Sequence, residues 1–256
     1  MKERTIYEQI AERTDGGVYI GVVGPVRTGK STFVKRFMEQ LVLPNIENVY
    51  RRERAKDELP QSGSGKTIMT SEPKFVPEEA VEISPDGKSR LSVRLIDTVG
   101  YMVDGAMGAE EDGAPRMVTT PWFEEPIPMT QAAELGTKKV MEEHSSIGIV
   151  LTTDGTVTDI PRQDYVQAEQ RAITDMKATG KPFLVLVNSE QPDGQAAQAL
   201  REQLAEQYLR LYCLRSNTAK QYVQKWLPIV AASQSVKGKP EERDFLLKWA
   251  DVVEYE

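Results

Sequence analysis

Cysteine occurs once, at Cys213, and histidine once, at His144. A single thiol excludes an intramolecular disulfide and any multi-cysteine zinc site, and it fits a reducing compartment. As a small, half-buried apolar residue, Cys213 needs no chemical role. His144 lies near the end of a helical segment with no nucleophile or metal-ligand cluster beside it, and reads as structural or as a helix-end charge. Long apolar runs are missing too. Nothing approaches a membrane span and "MKERTIYEQI" lacks the apolar stretch of a signal peptide, so no transmembrane segment and a cytoplasmic location are expected. Nor is there an excess of basic residues: Lys+Arg 32 against Asp+Glu 39, a net charge of -7, argues against wholesale nucleic-acid binding. The densest basic run, "YRRERAKDEL" (50–59), alternates acids and bases at helical spacing and reads as a solvated helix face.

What is present suits one large α/β domain with an ample core in 256 residues. "TIYEQIAERT" predicts an N-terminal helix closed by a turn, within residues 1–17. "VYIGVVG" (18–24) is a nearly continuous apolar strand, and "STFVKRFMEQLV" places Phe33, Phe37 and Leu41 on one helical face. Residues 43–77 read as a long, charged, mobile loop centred on "PQSGSGKTIMTSEP". "AVEIS", the turn "PDGK" and "SRLSVRLIDTVG" predict an antiparallel hairpin. Residues 101–130 form an insertion of little periodicity, long enough to suggest a function or disorder. Then helices over "QAAELGTKKVMEEHSS", "QDYVQAEQRAITDMKATG" and "GQAAQALREQLAEQYL" alternate with the strands "IGIVLTTD" and "KPFLVLVNS". That rhythm predicts a mostly parallel sheet with helices on both faces, within a nucleotide-binding domain over 18–209. In the closing segment, 210–256, "RLYCLR" and "PIVAAS" are equal candidates for a last strand.

"GPVRTGKST" (24–32) satisfies the phosphate-loop pattern between a strand and a helix. Gly24 and Gly29 let backbone N–H groups wrap phosphates, with Arg27, Thr28 and Thr32 in the same cradle. Lys30 neutralises phosphate charge and the Ser31 hydroxyl ligates Mg²⁺. Arg27 either lends charge to the nucleotide or to a neighbouring subunit's site, or is a solvated side chain. In "DTVG", Asp97 is placed to hold the magnesium shell and Gly100 to offer its N–H to a γ-phosphate. "GKTIMTSEP" supplies a metal-sensing hydroxyl, Thr70 first with Thr67 as alternative, and Ser71 as helper. This order belongs to the GTPase-like branch of phosphate-loop NTPases (the TRAFAC class), which reads guanine with N-K-x-D. Here Asn188 is followed by Ser189, and Gln191 stands where the guanine-reading carboxylate belongs, so guanine preference is expected to be relaxed or lost. Tyr101 occupies the place of a water-orienting glutamine, so hydrolysis is expected to be slow or to need another group.

At these residues, with "DELPQSGSGKTIMTSEPKFVP", "GAPRMVTTPWFEEPIP" and "TTDGTVTDI", the chain resembles the stage IV sporulation protein A family, spore coat morphogenetic ATPases of endospore-forming bacteria. The resemblance runs from about residue 5 to about residue 208. It implies ATP with Mg²⁺ rather than GTP, and hydrolysis that drives polymerisation into a basement layer of the spore coat. It also implies partners: copies of itself, other coat morphogenetic proteins and a small amphipathic membrane peptide. The implied location is the mother cell, at the outer forespore membrane. Lys30 matches the family's Walker lysine, Asp97 its Walker B aspartate, and Thr70 with Ser71 its sensor pair. Two other readings stand beside this one: a regulatory GTPase, resting on the switch layout and Asn188, and a scaffold in which bound nucleotide is structural, resting on Tyr101. "TPWFEEPIP" is either a protein contact or a segment whose Trp122 is buried on its own domain.

Overall fold

A computed structural model describes residues 15–61, 68, 72–84, 87–111 and 113–204. The N-terminal helix, Thr67, Thr70, Ser71 and the whole closing segment lie outside the described residues. So do Cys213 and both candidates for the last strand.

β1 (Gly17–Val23) is central, and its near-continuous apolar run reflects a sheet covered on both faces. β3 (Leu91–Asp97) pairs with it in parallel on one side and β8 (Ile147–Thr153) in parallel on the other. β9 (Phe183–Asn188) extends the parallel run beyond β8, while β2 (Lys74–Ile83) is antiparallel to β3. The order is β2-β3-β1-β8-β9, a mostly parallel sheet with the one expected antiparallel hairpin. α1 (Lys30–Phe37) and α2 (Val49–Asp57) cover one face, where Phe33, Phe37 and Ala55 join Val22, Leu95 and Leu151. The other face is covered by α3 (Met129–Lys139), α4 (Arg162–Ala178) and α5 (Gln195–Leu204). There Ala133, Tyr165, Ala172, Ile173 and Leu200 pack on Val23, Val150 and Val187. In α4, Tyr165, Ala168, Glu169, Ala172, Ile173 and Met176 recur every three or four residues and are all buried, as a helix docked by one stripe requires.

Two expectations need correction. Residues 43–77 are not one loop: Asn48 accepts from the Arg51 N–H at 3.0 Å and caps α2, and β2 begins at Lys74, ahead of "AVEIS". β2 carries a bulge between Val76 and Val81, which interrupts its alternation and hid its first half. The solvated helix face read in 50–59 is present, since only Ala55 of α2 is buried. The insertion 101–130 is not featureless either. It holds a short hairpin, β4 (Glu110–Glu111) with β5 (Ala114–Pro115), and a longer one, β6 (Met117–Thr120) with β7 (Phe123–Pro128). These strands are largely exposed, so no buried face imposed a period of two on their sequence.

Candidate nucleotide site

Between β1 and its two neighbours the chain departs in opposite senses, so the crevice at the carboxyl end of β1 opens between β3 and β8. The 24–30 loop fills it. Gly24 has φ 131°, and a Cβ there would stand 2.2 Å from the Leu151 carbonyl oxygen, so only glycine lets the loop pass β8. Arg27 adopts φ 62° without being glycine, a local strain held by the surrounding fold. Gly29, also left-handed, caps α1 without any side-chain hydrogen bond. A helix N-terminus that follows such a glycine loop suits an anion.

Lys30 is buried, and its ammonium donates to the Pro25 carbonyl at 2.6 Å and to Gly24 at 3.4 Å. Burial lowers its pKa to about 8, helped by Arg27 and opposed by Asp97. Asp97 ends β3. Burial raises its carboxyl above the ordinary range, against a hydrogen bond from Ser31 and the charges of Lys30 and Lys74. Its Oδ1 is buried with no hydrogen-bond partner among the described residues. An orphaned carboxylate oxygen beside a serine hydroxyl at the mouth of a phosphate loop fits a hard cation that takes oxygen ligands and shares them with phosphates. No cluster of three His, Cys, Asp or Glu competes for a metal among the described residues.

The remaining candidates fall into place unequally. Asn188, at the end of β9, donates to the Thr28 carbonyl at 3.0 Å, so it ties down the back of the phosphate loop. The Thr28 hydroxyl turns inward to the Pro25 carbonyl, leaving only its main chain toward a ligand, and Thr32 is exposed on the first turn of α1. Gly100 packs on the loop so closely that a Cβ would be 2.1 Å from the Gly24 carbonyl and 2.7 Å from the Lys30 ammonium. Its N–H, expected to face a γ-phosphate, is instead donated to the Thr137 hydroxyl at 3.1 Å.

Tyr101 is structural. Its N–H donates to Gly24 and its carbonyl accepts from Val26, which straps β3's extension to the loop. Its hydroxyl donates to Asp175 at 2.6 Å and Arg171 lies over its ring at 5.2 Å. The side chain is buried against α4, with its hydroxyl committed to Asp175. In the base-reading loop, Ser189 donates to Asp154 at 2.6 Å, and Asp154 also holds Thr156. Asp154 thus clasps the loops after β8 and β9 together, while Gln191 is exposed. Sequence reasoning missed Asp154 and Thr137, because each acts on a residue far along the chain and neither belongs to a local pattern. Trp122 is half-buried and packs its ring 3.2 Å from where a Cβ on Gly136 would stand, so one edge of the indole rests on its own domain. His144 closes the turn after α3, meets Phe75 edge-on at 5.5 Å and stands 4.0 Å from the Glu143 carboxylate.

Residues 1–227 match the family model described as "Stage IV sporulation protein A, ATPase domain". The stage IV sporulation protein A of Bacillus anthracis is 56% identical over 208 residues, covering 81% of this chain and 42% of that protein. Its counterpart in Bacillus subtilis (strain 168) is 55% identical with the same coverage. In Clostridioides difficile (strain 630) the identity is 55% over 203 residues, covering 79% and 41%. The chain thus spans less than half the length of the curated relatives it matches.

Proposed function

The chain belongs to the family of the stage IV sporulation protein A ATPase domain, and from that premise we propose that it binds ATP with Mg²⁺ and hydrolyses it slowly. Turnover drives self-assembly into the basement layer of the spore coat, in the mother cell at the outer forespore membrane. Copies of this chain, other coat proteins and a small amphipathic membrane peptide are the partners this reading assigns. The observation that carries the nucleotide reading is the buried, unpartnered Asp97 Oδ1 beside Ser31 and Lys30. Loss of guanine selection rests on the 188–191 loop, whose Ser189 is spent on Asp154 and which presents an amide where a carboxylate would read guanine.

In this mechanism the loop N–H groups and Lys30 would hold the phosphates, and Ser31 and Asp97, with Thr70 assigned from the sequence, would hold a magnesium ion, whose chemistry there would be to neutralise phosphate charge. Asn188 fixes the loop, and Arg27 stands within electrostatic reach of Lys30. The Tyr101 hydroxyl is committed to Asp175 rather than to an attacking water, which supports the reading of slow turnover and also favours a second one, a nucleotide-bound scaffold without turnover. Phosphate release from ATP and from GTP separates these. ATP turnover lost in Lys30→Ala is expected. Preference for GTP would overturn the assignment, and no release above the Lys30→Ala control would leave the scaffold.

A further inference from the structure

We propose that the Thr137 hydroxyl is a positioning latch that competes with the γ-phosphate for the Gly100 N–H. The proposal rests on nucleotide binding at this site as read above. Thr137 is fully buried on α3, and its hydroxyl donates to the Ala133 carbonyl at 2.7 Å while accepting from Gly100 at 3.1 Å. The hydroxyl proton is thereby committed along the helix, which leaves an oxygen lone pair aimed at Gly100. A β-branched residue inside a helix costs propensity relative to alanine, so its presence calls for a compensating contact. The Gly100 bond is that contact.

Gly100 sits where such a contact has consequences. It packs against the Lys30 ammonium, the charge placed to meet a bound phosphate, and against the Gly24 carbonyl that accepts from that ammonium. With φ 97° and no Cβ, its peptide can reorient at a point where any side chain would strike the loop. One N–H makes one good hydrogen bond. A γ-phosphate that takes it must free it from Thr137, whereas a diphosphate makes no such demand. The hydroxyl therefore lowers triphosphate affinity selectively. Its release has an outlet: Gly136, the preceding residue, faces Pro73, just after the sensor loop, and Trp122 of the β6-β7 hairpin.

The test is calorimetric titration of the full chain with the imido analogue of ATP and with ADP, both with Mg²⁺. Thr137→Val keeps the shape and removes the acceptor, and is expected to tighten the analogue about five-fold, the equivalent of one hydrogen bond, with ADP unchanged. Thr137→Ser is expected to match the wild type. An unchanged ratio of the two affinities in a folded Thr137→Val protein overturns the latch alone, because a merely structural hydroxyl moves stability without moving that ratio. Failure of the wild type to bind either nucleotide overturns the nucleotide reading and the latch together. Should Thr137→Val not fold, the wild type labelled with ¹⁵N-glycine decides. The Gly100 amide resonance is expected to shift with the analogue and not with ADP, and an identical response to both overturns the latch.

Discussion

At the scale of single residues, the site is built from charges that folding makes uncomfortable. Burial drives Lys30 down to about 8 and Asp97 upward, each disfavouring its charged form. Between about 8 and the ordinary 10.5, the unfolded chain holds a Lys30 proton that the folded chain has released, so stability rises with pH across that window. Below about 8 the cost of burying the ammonium is fully present. For Asp97 the folded chain keeps its proton above the ordinary 3.8, so this group's contribution to stability falls as pH climbs through the window above that value. In the proposed site a bound phosphate and cation would relieve both costs at once, so that the strain would favour ligand affinity. Binding of the imido analogue of ATP is therefore expected to take up protons above pH 8, up to one per nucleotide. Affinity should fall by up to tenfold per pH unit. Titration in buffers of different ionisation enthalpy measures the uptake. A pH-independent affinity, or the same uptake in Lys30→Ala, would remove Lys30 from this role.

Among elements, α3 carries the coupling. One turn of it touches Gly100 through Thr137, and Pro73 and Trp122 through Gly136, so the segment after the sensor loop, the β3 extension and the inserted hairpin share one support. Lys139 adds to it, 5.9 Å from the Trp122 ring. Glycine inside a helix costs about 1 kcal/mol relative to alanine, so the position argues for close packing rather than propensity. A Cβ on Gly136 would stand 3.0 Å from Pro73 and 3.2 Å from Trp122, tight enough that a neighbour must give way. Gly136→Ala is expected to forfeit the usual stability gain and to expose the indole. In a background with Trp226→Phe and Trp249→Phe, emission should shift to the red. A full gain in melting temperature with unchanged emission would show that the hairpin does not lean on α3.

At the scale of the whole molecule, the self-assembly proposed above needs a surface, and the sheet edge at β2 is a poor one. Pro77 lacks a donor, the bulge twists the edge, and Glu78, Glu79 and Glu82 line it. A protein of net charge -7 also repels its copies over long range at low salt. Assembly driven by turnover therefore predicts that light scattering grows with ATP and Mg²⁺ and stays flat with ADP, with GTP and in Lys30→Ala. Equal growth with the imido analogue would show that binding alone suffices, since a ligand shifts a conformational equilibrium only by its differential affinity for the two states.

Local chemistry determined much of this before any fold was seen. Glycine, lysine and serine at fixed offsets between a strand and a helix define a phosphate loop, because backbone wrapping and charge neutralisation need those residues together. The βαβ rhythm likewise announced a parallel sheet, since buried strands read as continuous apolar runs. The departure at Ser189 and Gln191 was legible for the same reason, a missing carboxylate being a local fact. What only the tertiary structure decided lies between distant segments. Thr137 meets Gly100 across 37 positions, Asp154 meets Ser189 across 35 and Tyr101 meets Asp175 across 74. A hydrogen bond depends on where the packed elements bring donor and acceptor. No spacing along the chain encodes that, so the phosphate-loop pattern could be read from sequence, while the contacts that restrain the loop had to be seen.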